Sequence, residues 1–138
     1  MKNFKIDPQL AGDNTLIGEL LCSQVLLMNN KKVPWFVLVP KVGDVSEIYE
    51  LDKNTQQLLL EDINTISFFI KQHFEVDKLN VAAIGNIVKQ LHVHVVGRNK
   101  NDCAWPGVVW GMQEHQAYTQ EDIDKIVCMF DLYKQDNS

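Results

Sequence analysis

The chain of 138 residues is poor in arginine: of its thirteen basic residues, Arg98 alone is an arginine. A surface built on guanidinium forks for phosphate or carboxylate is therefore not expected. Positive charge is short as well. Eighteen acidic residues against thirteen basic ones leave a net charge of −5, which argues against a protein that coats nucleic acid. Cysteine is sparse. Cys22, Cys103 and Cys128 are scattered and form no CxxC pair, so neither a disulfide framework nor a zinc ribbon is expected. Long hydrophobic runs are missing: Trp35 to Val39 and Val81 to Ile84 are far too short to span a bilayer. In Met1 to Asp13, Asp7 and Pro8 break any apolar run, so no export signal is read there. The expectation is a reduced, cytoplasmic protein. There is no repeat or low-complexity tract, and 46% hydrophobic residues suffice for one domain with a core.

Patterning then suggests the elements. Phe4 to Asn14 reads as an irregular lead-in with turn signals at Asp7-Pro8 and Gly12-Asp13. SQVLLM (23–28) and WFVLVP (35–40) flank the polar turn Asn29-Asn30-Lys31-Lys32 and predict a hairpin. The second run does not alternate, which predicts a strand buried on both faces. Asp52 is a candidate N-cap for a helix fading near His73 or Phe74, with Leu58, Ile63, Ile66, Phe69 and Ile70 on its apolar face. LNVAAI (79–84) and LHVHVV (91–96) predict two more strands, the second ended by Gly97 and Arg98. Trp105-Pro106-Gly107 and Trp110-Gly111 predict an aromatic, turn-rich loop. A second helix is expected over Glu121 to Tyr133, capped by Thr119. A hairpin plus strands on either side of a long helix gives an α+β class with an antiparallel sheet.

The chemistry concentrates in Gln90-Leu-His92-Val-His94-Val-Val. Strand alternation would put Gln90, His92 and His94 on one face and Leu91, Val93 and Val95 in the core. One histidine on an apolar strand is more often a satisfied core group. Two histidines and a glutamine in register make a polar stripe that calls for a partner. One reading is zinc held by the His-x-His pair, which needs a further ligand; His73, His115 and Cys103 are candidates without a recognisable spacing. The other is nucleophilic attack by imidazole on a phosphoryl group, with the rest of the stripe stabilising charge.

The segment resembles the signature of the histidine-triad (HIT) superfamily, His-φ-His-φ-His-φ-φ with φ hydrophobic. WFVLVPK, Asn86 four positions before Gln90, and Trp105-Pro106 resemble flanking features of that family. LHVHVVGRNKNDCAWPGVVWG is similar to bacterial members labelled diadenosine tetraphosphate hydrolase-like. The resemblance spans most of Leu16 to Gly111. It implies one HIT-like domain over residues 1–138, with about five antiparallel strands and two principal helices. It implies a nucleotide hydrolase or nucleotidyl transferase acting on dinucleoside polyphosphates or nucleoside phosphoramidates.

Under that resemblance His92 is the nucleophile, its other ring nitrogen donating to a carbonyl near His94. His94 contacts phosphate, Asn86 contacts phosphate or the bridging oxygen, and Asn29 or Asn30 contacts ribose. Trp105, Pro106 and Trp110 are candidates for the rim of the nucleotide pocket, the alternative being a hydrophobic loop that covers the sheet edge or makes a dimer contact. Gln90 stands where most members carry histidine. It can orient a phosphate or water but cannot titrate, so it cannot supply the ~10²–10⁴-fold of a general acid. A nucleotide-binding protein with little turnover is therefore the alternative. The implied partners are a purine nucleotide and a second copy of the chain. No resident cofactor or metal is implied, although a polyphosphate substrate can carry a divalent cation such as Mg²⁺.

Overall fold

The computed structural model describes residues 4–137. Five strands form one antiparallel sheet in the order β1-β2-β3-β5-β4. They are β1 Asn14–Glu19, β2 Ser23–Met28, β3 Trp35–Pro40, β4 Lys78–Ala82 and β5 Val93–Arg98. Three α-helices accompany them: α1 Pro8–Asp13, α2 Lys53–His73 and α3 Gln120–Asp136. The chain leaves β3, traverses α2, forms the edge strand β4 and returns as β5 between β4 and β3. This is the α+β class expected from the sequence.

Each face of the sheet has its own apolar cluster. On one face Val25, Leu27, Phe36, Leu38, Val93 and Val95 pack with Leu59, Ile66, Phe69 and Ile70 of α2 and Ile126 and Phe130 of α3. On the other, Leu26, Trp35, Val37, Val39 and Val96 pack with Leu10 and Val109. β3 therefore contributes to both clusters, and all six of its residues are buried. Its lack of alternation follows directly from this double burial.

Both long helices begin where a side chain can accept from an orphan N–H. Asp52 accepts from Thr55 N at 2.7 Å, and Thr119 Oγ1 from Asp122 N at 3.1 Å. The apolar stripe of α2 runs through Leu59 instead of Leu58 and includes a buried carboxylate, Asp62. Asp62 accepts from Leu21 N and Cys22 N, both at 2.9 Å, and so satisfies the β1–β2 turn.

Three segments differ from the sequence expectation. The supposed irregular lead-in contains α1, capped by Asp7, followed by β1. The β1 pattern is weak because its register shifts between Leu16 and Gly18. β5 begins at Val93 instead of Leu91 and continues through Gly97 and Arg98. At Gly97 a Cβ would lie 2.8 Å from Ile70, Pro34 and Val76 side chains, so glycine serves close packing here and does not end the strand. β4 is likewise displaced, to 78–82. No helix among the described residues is long and apolar enough to cross a membrane.

Candidate active site

His92 sits just before β5 and His94 within it, both buried, with ring centroids 5.0 Å apart. Their outer hydrogen bonds have opposite polarity. His92 Nδ1–H donates to the Gln90 carbonyl at 2.7 Å, which leaves the lone pair on Nε2. The carbonyl that orients His92 is thus that of Gln90, two residues upstream, and not one near His94. His94 Nδ1 instead accepts from Trp35 Nε1–H at 3.0 Å, which places the proton of neutral His94 on Nε2. β3 supplies Trp35 because Val37 pairs with His94 and Trp35 lies two residues along, on the same face. Burial, and secondarily the charge of His92, push the His94 pKa down to about 4. His94 is therefore a neutral N–H donor near pH 7.

Two grooves share His92 in their lining. The first, about 310 Å³, is lined by His92, His94, Asn86, Asn14, Trp110 and apolar groups including Leu10, Met28 and Val88. Gly85 enters the Asn86 turn at φ +62°, a left-handed conformation that glycine adopts without a Cβ penalty. The second, about 280 Å³, is lined by His92, Gln90, Lys89, Ser46 and Glu47. His92 thus borders both grooves.

The other sequence candidates divide. Asn86 lines the first groove with both histidines. The Gln90 amide is spent on the N-terminal segment. Its Oε1 accepts from Asp7 N at 2.7 Å, and its Nε2 donates to Lys5 O at 2.8 Å. That corrects the picture of a side chain turned to phosphate or water: the residue borders the second groove as a staple. Asn29 and Asn30 line an adjoining groove of about 280 Å³ with Asp13, Met28, Met112 and His115. Their amide oxygens are engaged there: Asn29 Oδ1 accepts from Tyr118 N, and Asn30 Oδ1 from Lys32 N and Gln116 N.

Trp105 lines none of these grooves. It packs against Arg98, whose guanidinium carbon lies 5.8 Å from its ring centroid. Trp110 takes the groove position instead, edge-on to His94 at 5.4 Å and to Trp35 at 5.9 Å. Of the remaining histidines, His73 bonds Phe69 O within α2 and His115 donates from Nε2 to Asn29 O. Cys103 is an exposed free thiol. Among the described residues no group of three or more His, Cys, Asp and Glu is placed to hold a metal ion. The zinc reading therefore lacks its third ligand there.

Sequence reasoning missed Asn14, Asp13 and the Trp35–His94 bond. Trp35 was legible as a strand residue, but its partner depends on the β3–β5 register. No local signal marks Asn14, which lies in the strand that the pattern concealed.

A family model for the HIT domain matches residues 10–101. The fold superimposes on a histidine triad protein of Marinobacter aquaeolei with TM-score 0.93, 39% identity, and coverage of 99% of this chain and 100% of that one. A histidine triad protein of Bradyrhizobium japonicum gives 0.92 at 35% identity, covering 96% and 98%. One of Sinorhizobium meliloti gives 0.91 at 35%, covering 94% and 96%. No curated protein matches the chain. With the family model spanning most of the sequence and these relatives aligned along almost their whole length, the chain belongs to the histidine-triad (HIT) family.

Proposed function

We propose that the protein is a nucleotide hydrolase or nucleotidyl transferase working through a nucleotidyl–His92 intermediate on phosphoanhydride or phosphoramidate bonds. The observation that carries this reading is the opposite tautomers of His92 and His94, fixed by Gln90 O and Trp35 Nε1. His92 Nε2 attacks the α-phosphorus, and a P–N bond forms as the bond to the leaving oxygen or nitrogen breaks. His94 Nε2–H and Asn86 donate to the non-bridging oxygens, where charge accumulates. The leaving group takes the bonding electrons, with a proton from solvent where it is an amine, and departs into the groove bordered by Lys89 and Ser46. Water then attacks phosphorus, the P–N bond breaks with its electron pair returning to Nε2, one proton of the water passes to solvent, and neutral imidazole returns. An alcohol or amine acceptor in place of water gives transfer.

The substrate of this proposal is a purine nucleotide, with Mg²⁺ carried by the phosphate chain where that chain is long. The proposed setting is the cytoplasm and the proposed assembly a homodimer. Val81, on the sheet-edge strand β4, and the neighbouring Ile84 and Ile87 are exposed apolar residues that support such an assembly. The test is a panel of dinucleoside polyphosphates, nucleoside phosphoramidates and adenylylated lysine, quenched and read by mass spectrometry for the adduct. His92→Ala is expected to lose adduct and turnover while still binding a nucleoside monophosphate. Near-wild-type turnover in that variant would refute the mechanism.

The second reading, nucleotide binding with little turnover, is favoured by the Gln90 amide being occupied by Lys5 and Asp7. Saturable binding with neither adduct nor product across the panel would establish it.

A further inference from the structure

We propose that Asn14 and Trp110 form a polar pair that recognises the nucleoside half of the ligand. Asn14 Oδ1 takes one donor, and Trp110 Nε1–H gives to one acceptor. The inference rests on reading the first groove as a nucleotide site.

Among the described residues, the buried side-chain nitrogens and oxygens without a hydrogen-bond partner are Asn14 Oδ1 and Trp110 Nε1. Such atoms are rare in folded proteins because they forfeit hydration without replacement. These two arrive from opposite ends of the sequence, yet both residues line the groove that holds His92, His94 and Asn86. Asn14 is 8% exposed and opens β1 opposite Met28. Trp110 follows β5 by a long loop.

The polarity of each atom is fixed. Asn14 Nδ2 donates to Leu10 O at 2.9 Å, which closes the end of α1. That bond explains the amide nitrogen and leaves the oxygen as an acceptor. The Trp110 ring lies edge-on to both His94 and Trp35, and its N–H has no hydrogen-bond partner. An indole N–H only donates. One unpaired acceptor and one unpaired donor therefore lie covered behind the wall of the groove, within a frame of Leu10, Met28 and Val88, and a small shift of either side chain would present them to a ligand.

That demand identifies the moiety. An ionised phosphate offers acceptors only and would face the Asn14 oxygen unfavourably, so the phosphate belongs with His92, His94 and Asn86. A nucleoside carries the required combination in two places. One is a purine edge with an exocyclic amine next to a ring nitrogen; the other is a sugar hydroxyl. Both present a donor with an acceptor.

The experiment is calorimetric titration of wild type, Asn14→Ala and Trp110→Phe with four ligands. These are adenosine monophosphate, its 2′-deoxy and 3′-deoxy forms, and purine riboside monophosphate, which lacks the amine. Trp110→Phe keeps an aromatic ring and removes the N–H, and thermal unfolding confirms that each variant is folded. The expected result is about tenfold weaker binding of adenosine monophosphate by each variant. Wild-type discrimination against one of the analogues should also collapse in Asn14→Ala. Collapse on the amine arm identifies the base, and collapse on a deoxy arm identifies the sugar.

Unchanged affinity in both variants overturns the proposal. So does a uniform loss that preserves every analogue ratio, since that is the signature of a structural role. Wild-type protein that binds none of the four overturns the nucleotide reading and the pair with it. Binding with the expected ratios but no His92 adduct from any substrate of the panel refutes the covalent mechanism and supports the pair.

Discussion

The two ends of β5 carry polar clusters built on opposite terms. At its last residue, Arg98 closes on Asp102, four residues further on. Arg98 donates from Nε to Asp102 Oδ2 at 2.9 Å, from one terminal nitrogen to Oδ1 at 3.0 Å and from the other to Asn80 Oδ1 at 2.8 Å. Asp102 also accepts from the N–H groups of Asn99, Ala104 and Trp105. The two side chains are 2% and 5% exposed. Around its first residues, His92 and His94 each spend one ring nitrogen on the protein and keep Nε2 open, with Asn14 Oδ1 and Trp110 Nε1 beside them. A saturated cluster fixes the chain's path. An open one retains atoms for a ligand. Burial alone does not tell the two apart; the hydrogen-bond census does.

The sharpest way to break the comparison is to open the closed end. Asp102→Ala strands the Arg98 guanidinium in the interior, and removing one partner of a buried pair costs about 3–5 kcal/mol. Urea unfolding should register that loss, while turnover per folded molecule stays near wild type. His92→Ala should show the reverse order, with turnover lost and stability less affected. A change below about 1 kcal/mol in Asp102→Ala, the range of an exposed pair, would show that the cluster is not what holds the loop after β5.

Acid separates the two ends next. His94 has a folded-state pKa of about 4 against an ordinary 6.5, so the unfolded chain binds more protons between those values. Its stabilisation is complete above pH 6.5 and is lost as pH falls towards 4, up to about 3 kcal/mol. For Asp102, burial alone would raise the pKa, but the bonds from Arg98 and from the N–H groups of Asn99 and Ala104 outweigh it and hold it at about 2. Its stabilisation is present above the ordinary value of 3.8 and is lost as pH falls through about 2, roughly 2 kcal/mol. Unfolding free energies of wild type and His94→Asn from pH 8 to 3 should show the upper window flattened in the variant. Parallel curves would mean that His94 does not titrate as its burial requires.

The same contrast explains what was legible in the sequence. The β2–β3 hairpin, α2 and α3 could be read because their signals are local: apolar runs, a polar turn, and Asp52 and Thr119 as caps. β1 was not, because a bulge near Gly18 spoils its alternation. The end of β5 was misread because Gly97 and Arg98 resemble strand breakers until Ile70 and Pro34 are seen against the glycine and Asp102 against the arginine. At the site, His92, His94 and Asn86 were legible through the motif. Trp35, Asn14 and the occupied amide of Gln90 were not, since each depends on a partner between 59 and 85 residues away or on an absent one.

The smallest expected effect concerns Gln90, where the sequence pointed to the site and the structure turns the side chain elsewhere. If Gln90 touched the leaving group, replacing it with a titratable histidine would help substrates with poor leaving groups most, by part of the ~10²–10⁴-fold that a general acid contributes. Its amide instead ties Lys5 and Asp7 to the segment before β5 that carries the nucleophile. Substitution there should loosen this staple and move His92 slightly, which affects every substrate alike. We therefore expect Gln90→Ala and Gln90→His to lower kcat/KM by about tenfold or less, well under a general acid's share, with the same factor for good and poor leaving groups. The measurement is kcat/KM over a series of nucleoside phosphate esters graded by leaving-group pKa. A gain in Gln90→His confined to the poor leaving groups would place position 90 against the departing oxygen. It would also mean that the staple releases during turnover.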